Sequence, residues 1–352
     1  MDFTEEKLLQ IAAVGKELGM HFGLWFEPEM VNKNSDLYRE HPDWILCPPG
    51  RTPQPSRNQY ILDFSRPEVV DTIFEMMDQI LGSAPISYVK WDMNRYMTDC
   101  YSKTASSEDQ GKVCHKYILG VYSLYERLTR KYPDILFESC SSGGARFDPG
   151  MLYYAPHTWT SDDTDAMERI KIQYGTSYVY PLSSMGAHVS AVPNQQVGRV
   201  TPLQTRGNVA VFGMLGYELD LTKLTDEEKE TIKERIQFYQ KYRNLIMQGT
   251  FYRLMDPFQN NDSAWMVVSE DQNTVLVGFY RRQGVPNGPW IRLYMDGLDE
   301  NKQYRLETGS DRTILYGGDE LMNVGMVVKE EQLCNHGGDY SSGIFVLQAA
   351  SY

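Results

Sequence analysis

The residues best suited to acid chemistry close two apolar runs. The first reads Val89-Lys90-Trp91-Asp92-Met93-Asn94-Arg95-Tyr96, and the second Thr158-Trp159-Thr160-Ser161-Asp162-Asp163. In a barrel of parallel strands, side chains at strand ends gather on one rim, so two such carboxylates can work as a pair. Paired acids of this kind are the machinery of glycosidic bond cleavage. Asp92 has helpful company: Lys90 would keep a nearby carboxylate ionised, Trp91 offers a flat apolar face, and Asn94 adds a donor pair. The ordinary role of an Asp after a strand is a turn or a helix N-cap, and that alternative applies to each acid taken singly.

The elements that would position these groups alternate. Apolar residues at helical spacing over residues 4 to 19 predict a helix that stops at Gly19, and His21 to Phe26 reads as a buried strand. Ser65 and Glu68 form a capping-box signature around Arg66-Pro67, opening a helix to about Leu81, with the next strand at Ile86 to Trp91. A helix from about His115 to Lys131 precedes Pro133, and Ile135 to Cys140 is a third strand followed by Ser142-Gly143-Gly144. Thr158 to Ser161 is a fourth strand, Ala166 to Tyr174 a short helix, Ser177 to Tyr180 a fifth strand and Val209 to Leu215 a sixth. Thr225 and Glu228 then cap another helix.

Alternating strands and helices imply a parallel sheet of the α/β class. After about Met247 the texture changes to strands at Ala264 to Val268, Thr274 to Tyr280, Trp290 to Tyr294, Gln303 to Glu307 and Ile344 to Leu347, separated by Asn, Asp and Gly turns. The expected architecture is therefore a (β/α)8 TIM barrel over residues 1–247, followed by an antiparallel β-sandwich over 248–352. A closed barrel requires eight strands and about six are found, so the barrel is expected to lack its first strands.

Bulk properties narrow the function. The 352 residues are 41% hydrophobic with a formal charge of −13, which gives a sizeable core and argues against a nucleic-acid partner. No apolar run approaches the roughly 20 residues that span a bilayer, and no cleavable signal opens the chain, so no membrane partner and a cytoplasmic location are expected. The five cysteines lack zinc-site spacing and are expected to be reduced thiols, and the six histidines are dispersed, so neither a metal nor another cofactor is expected.

Four blocks carry a family resemblance. Gly23-Leu24-Trp25-Phe26-Glu27-Pro28-Glu29-Met30, Lys90 to Arg95, Glu138-Ser139-Cys140-Ser141-Ser142-Gly143-Gly144-Ala145-Arg146 and Trp159 to Asp165 resemble glycoside hydrolase family 36, the α-galactosidases. The likeness continues through Pro181 to Gly186 and His188 to Pro193. It implies a retaining α-galactosidase acting on melibiose- or raffinose-type oligosaccharides, with Asp92 the nucleophile and Asp162 the acid/base. Asp163 and Asp165 are the alternatives for the second role.

The resemblance also implies substrate contacts at Trp25, Arg57, Lys90, Trp91, Asn94, Cys140 and Gly143. Each has a plainer reading: Trp25 as barrel core, Cys140 as a small buried apolar residue, Arg57 as a solvated loop cation. His188 reads as structural.

Full members of the family carry an N-terminal β-sandwich, the first barrel strands and an adjacent acid pair for the outer sugar hydroxyls, which this sequence lacks. The expected partners are the α-galactoside and either a second copy of the chain or a complementing N-terminal fragment. The competing readings are an inactive fragment serving as a sugar-binding or assembly subunit, an α-N-acetylgalactosaminidase, and a transgalactosylase.

Overall fold

The computed structural model describes residues 5–307 and 314–350. They form two compact units, Met1–Trp159 and Thr160–Tyr352, each with its own core.

The first unit opens with α1 (Glu5–Glu17) and β1 (Phe22–Phe26); residue 4, expected in the helix, lies outside the described residues. A small antiparallel pair, β2 (Met30–Asn32) and β3 (Gln59–Ile61), brackets the short helix α2 (Asp36–Glu40). Then come α3 (Pro67–Ser83), β4 (Ile86–Trp91), α4 (Val113–Lys131), β5 (Leu136–Ser139), α5 (Pro149–Tyr154) and β6 (His157–Trp159). The parallel strands lie in the order β1-β4-β5-β6. Their outward side chains meet the apolar faces of α3 and α4, with Val69, Ile73, Val121, Leu124, Val89 and Phe137 all buried in one cluster. Strands buried on both faces need such coverage, which is why each alternates with a helix.

The capping box expected at Ser65 and Glu68 does not form. Asp63 captures the Ser65 hydroxyl and backbone N–H, Arg66 pairs with Glu68 and Asp43 at 2.9 Å each, and the helix starts on Pro67 without a side-chain cap. Two of the five cysteines depart from the reduced-thiol expectation: Cys100 is joined to Cys114, whereas Cys47, Cys140 and Cys334 are free.

The second unit contains α6 (Ala166–Thr176), β7 (Met185–Ser190), α7 (Leu203–Ala210), β8 (Met214–Glu218) and α8 (Asp226–Gln248). Here the fifth and sixth expected strands are corrected. Residues 177–180 complete helical turns, their N–H groups donating to Gln173, Gly175 and Thr176 carbonyls, because Pro181 leaves too little chain to build a strand. The strand lies instead at β7. Val209 and Ala210 end α7, and the last parallel strand begins only at Met214. β7 and β8 pair in parallel, with His188 opposite Gly216; a Cβ on Gly216 would stand 2.7 Å from the His188 ring, so only glycine admits it.

The capping box at Thr225 and Glu228 is present and opens α8. Beyond it, β9 (Thr250–Met255), β10 (Asp262–Val268), β11 (Thr274–Arg281), β12 (Ile291–Leu293), β13 (Gln303–Leu306), β14 (Ile314–Gly317), α9 (Gly318–Asn323), β15 (Met326–Val328) and β16 (Ser341–Ala349) follow. They build an antiparallel sheet in the order β14-β13-β16-β11-β10-β9 and a separate β12-β15 pair. Helix α7 ties this region to the preceding strands: the Asn208 side chain donates to Ser342 at 2.8 Å and its carbonyl accepts from Tyr280 at 2.9 Å. Those buried bonds make 160–352 one unit by compactness, although the sequence texture changes near Met247.

Candidate active site

Asp92 follows the last residue of β4, and its backbone N–H donates to the Phe26 carbonyl at 2.8 Å. The side chain is buried yet well supplied with donors. Its Oδ2 accepts from the Trp25 indole at 3.2 Å and the Asn94 amide at 2.7 Å, and its Oδ1 from the Met93 N–H at 2.8 Å. Burial pushes the carboxyl up, but the Cys140 thiol, Asn94, Trp25 and the Met93 N–H together hold it below its ordinary value. Hydrogen bonds to the ionised form outweigh desolvation here. Cys140 responds in the opposite sense: burial and the adjacent Asp92 charge push the thiol well above its usual range, so it stays protonated and donates. The sequence alone marks Cys140 as a small apolar residue; next to Asp92 it is a hydrogen-bond donor.

The surrounding groups are held by neighbours. The Asn94 backbone N–H donates to Glu27 at 2.8 Å, and its side-chain oxygen accepts from Ser142 at 3.2 Å, which fixes the amide so that its NH2 faces Asp92. Lys90 pairs with Glu138 at 3.2 Å and lies 4.6 Å from the centre of the Trp159 ring. Gly143 takes φ +86°, directly after Ser142 at +48°. Two consecutive left-handed residues curl the chain beyond β5, and the Ser141 N–H donates to the Gly143 carbonyl at 2.8 Å.

Trp25 is 54% exposed, so it is a surface platform and not barrel core. Trp91 does the reverse. It is fully buried, stacks on Tyr125 with ring centroids 4.0 Å apart, and donates to Glu29 at 2.8 Å, because successive strand residues face opposite sides. It offers no face to a sugar. Arg57 is exposed at the tip of a tight turn with Asn58, at φ +51° and +61°; the structure does not bring it into the Asp92 cluster.

Glu27, Glu138 and Ser142 join the candidate residues here; all three stand inside the sequence blocks that carry the family resemblance. The signal for Glu138, in β5, was its spacing of two from Cys140, which directly follows the strand, so that the period of two turns both to one side. Behind the sheet, Glu29 receives a two-pronged bond from Arg146 at 2.9 and 3.0 Å. That pair is structural: it anchors the chain after Gly144 to the segment after β1.

In the second unit, Thr160 to Asp165 is organised by Arg169. This buried guanidinium donates to the carbonyls of Asp163 and Ser161 at 2.6 and 2.5 Å and to the Thr160 hydroxyl at 2.5 Å. Burial draws it down to about 10, against the pull of Asp163, Glu218 and Asp162. Asp162 itself is exposed. Its two rivals are engaged by backbone: Asp163 accepts from the Asp165 N–H at 3.1 Å, and Asp165 caps α6 through the Met167 and Glu168 N–H groups at 3.1 Å each while pairing with Arg199. His188 lies 3.3 Å from Glu218. Among the described residues, no group of three or more His, Cys, Asp or Glu is placed to hold a metal ion, and no helix is long and apolar enough to cross a membrane.

A buried, ionised carboxylate at the end of a parallel strand, ringed by neutral donors and an exposed indole, suits a glycoside hydrolase. Comparison with known proteins bears this out. Residues 3–249 match the Melibiase family and residues 262–347 the glycosyl hydrolase family 36 C-terminal domain. The chain belongs to glycoside hydrolase family 36. It is 55% identical over 312 residues to alpha-galactosidase AgaA of Geobacillus stearothermophilus, covering 89% of this chain and 42% of that protein. It is 48% identical to alpha-galactosidase Mel36A of Lactobacillus acidophilus over 95% of this chain and 44% of that protein. A crystal structure of an AgaA variant in complex with raffinose superposes with a TM-score of 0.93 at 51% identity, over 97% of this chain and 46% of that one. The fold is the family's, with barrel-type parallel strands and helices followed by an antiparallel β domain. The chain spans less than half the length of these relatives.

Proposed function

We propose that this chain carries the catalytic carboxylates of a retaining α-galactosidase that removes terminal α-linked galactose from oligosaccharides of the raffinose type. The observation that carries the reading is the Asp92 environment. A nucleophile must be ionised and aimed, and four donors hold this one in a fixed position below its ordinary pKa.

In the proposed reaction Asp92 attacks the anomeric carbon and the bond to the leaving oxygen breaks as Asp162 donates its proton to that oxygen. Water then enters, gives its proton to Asp162, and displaces Asp92 to release galactose; a carboxyl separation of about 5–5.5 Å is what this route requires. Asp162 suits the second role because it is exposed to solvent, whereas Asp163 accepts from the Asp165 N–H and Asp165 caps α6 and pairs with Arg199. Trp25 would stack on the apolar face of the sugar, and Lys90 and the Cys140 to Gly143 turn would meet its hydroxyls. Trp91 has no part in this set. Arg57 is assigned a substrate contact on the family resemblance alone. Residues 1–247 are taken as the barrel domain and 248–352 as the β domain, in keeping with the two matched families.

The test is turnover of an aryl α-galactoside by the chain, alone and mixed with the separately produced N-terminal part of a relative. Turnover in either arm that disappears in Asp92→Ala supports the reading. Its absence in both arms refutes it and leaves a sugar-binding or assembly role.

A further inference from the structure

A cleft of about 470 Å³ opens in the second unit beside the β12-β15 pair, with Arg281, Trp290, Lys329, Glu330 and Glu331 among its lining residues. That falls in the range of small-molecule sites, about 300–1,000 Å³. Trp290 is 78% exposed, more than any other large apolar side chain among the described residues, although tryptophan is ordinarily well buried. The chain holds it there. The Gly288 N–H closes a turn on the Val285 carbonyl at 3.1 Å, Pro289 restricts the backbone that follows, and Ile291 then pairs with Val328. Continuing that antiparallel register by one step sets Trp290 opposite Lys329.

The polar lining is built from opposed charges. Arg281 is buried, and its guanidinium donates to the two Asp262 oxygens at 3.0 and 3.4 Å and to the Gly337 carbonyl at 3.3 Å. Three of its five N–H groups are thereby engaged and the group is fixed in place. Glu330 lies 3.7 Å from it and packs over Gly337, where a Cβ would stand 2.9 Å from the Glu330 Cγ. Lys329 lies 3.8 Å from Glu331. Two cations and two carboxylates cancel. An anion in the cleft would meet Glu330 and Glu331, and a cation would meet Arg281 and Lys329. A neutral polyol instead donates to the carboxylates and accepts from the cations, while its C–H face covers the indole. We propose that this cleft is a second carbohydrate site, holding one neutral sugar ring on Trp290 with its hydroxyls divided between Arg281 and Lys329 as donors and Glu330 and Glu331 as acceptors. None of these residues belongs to the candidate active site, so the assignment does not depend on the galactosidase reading.

The site is tested by titrating the chain with raffinose and with maltotriose while following its tryptophan indole N–H signals by NMR; the chain has six tryptophans, and Trp290→Ala identifies the signal of interest by its loss. We expect the Trp290 signal to shift saturably with both sugars. The affinity for maltotriose, which carries no galactose, is read by saturation transfer. It should fall at least about tenfold in Trp290→Ala and less than about threefold in Trp290→Tyr, which keeps a ring to stack on; circular dichroism verifies folding. Trigalacturonate, an anion of the same length, should bind more weakly than maltotriose because Glu330 and Glu331 repel it. A Trp290 signal that neither sugar moves, maltotriose affinity that folded Trp290→Ala retains in full, or trigalacturonate binding tighter than maltotriose overturns the proposal. A Trp290 signal that shifts with protein concentration and not with sugar makes this face a contact between copies and overturns it too. If raffinose moves the Trp290 signal and leaves that of Trp25 still, the second site stands and only the galactosidase reading loses support.

Discussion

Asp92 and Asp162 are both acids that follow barrel strands, yet their surroundings are opposite. Asp92 is buried and surrounded by donors that act on the carboxylate directly. Asp162 is exposed, and order around it comes through the backbone, from Arg169 bonded to the carbonyls on either side of it. The difference matches the two tasks proposed for them. A group that must stay ionised and form a covalent bond benefits from fixed donors, whereas one that gives and regains a proton needs access to water.

The contrast breaks most visibly at Asp92. Asp92→Ala should lower turnover by at least about 10⁴-fold with every substrate, because no leaving group compensates for a missing nucleophile. Exogenous azide should restore part of the rate, the small anion entering the vacated space, and the product anomer checks its route. A residual rate above a hundredth of wild type would remove Asp92 from the role. Asp162→Ala should be selective: about 10²–10⁴-fold slower with raffinose, whose leaving alcohol needs a proton, and far less affected with a dinitrophenyl galactoside, whose phenolate leaves unaided. Equal losses with both substrates would transfer the acid role to another group.

How far these roles were legible depended on periodicity and on competition for hydrogen bonds. Lys90 and Asp92 could be placed on one face from the two-residue period of β4, and the same period excludes Trp91, which adjacency in sequence had drawn into the site. In the β domain β10, β11, β12, β13 and β16 were legible because their alternation and turns are local signals, whereas β9, β14 and β15 were not read. Ser177 to Tyr180 misled because β-branched and aromatic residues resemble a strand even when they finish a helix. Ser65 and Glu68 misled because the partners that captured them, Asp63 and Arg66, are equally good. Cys140 as a donor could not be read at all, since the role exists only beside a buried charge.

A smaller effect sharpens the Asp92 side. Asn94→Ala removes one of the donors that lower the Asp92 pKa, so that pKa should rise. A nucleophile is active above its pKa, and the acid limb of kcat/KM should therefore move to higher pH while the alkaline limb stays where it was. The same sign governs stability: a carboxyl lowered by folding stabilises the folded chain above its unfolded pKa, and this contribution fades as pH falls through the folded value. Asn94→Ala should accordingly lose less stability on acidification than wild type does. An acid limb that remains in place would mean that Trp25, Cys140 and the Met93 N–H suffice to hold the charge.

The smallest effect separates Asp162 from its neighbour. Asp165 caps α6 through two backbone N–H groups and pairs with Arg199, so its work is conformational. Asp165→Ala should cost about 0.5–2 kcal/mol in chemical denaturation, the usual range for a lost N-cap, with Asp165→Asn closer to wild type because the amide oxygen still accepts. Neither variant should alter the ratio of raffinose to dinitrophenyl galactoside turnover, since a cap does not supply the departing proton. If Asp165→Ala instead reproduced the substrate selectivity expected of Asp162→Ala, the acid/base would have to be reassigned within the cluster, and the contrast between a donor-bound carboxylate and a backbone-steadied one would describe Asp92 and Asp165 instead.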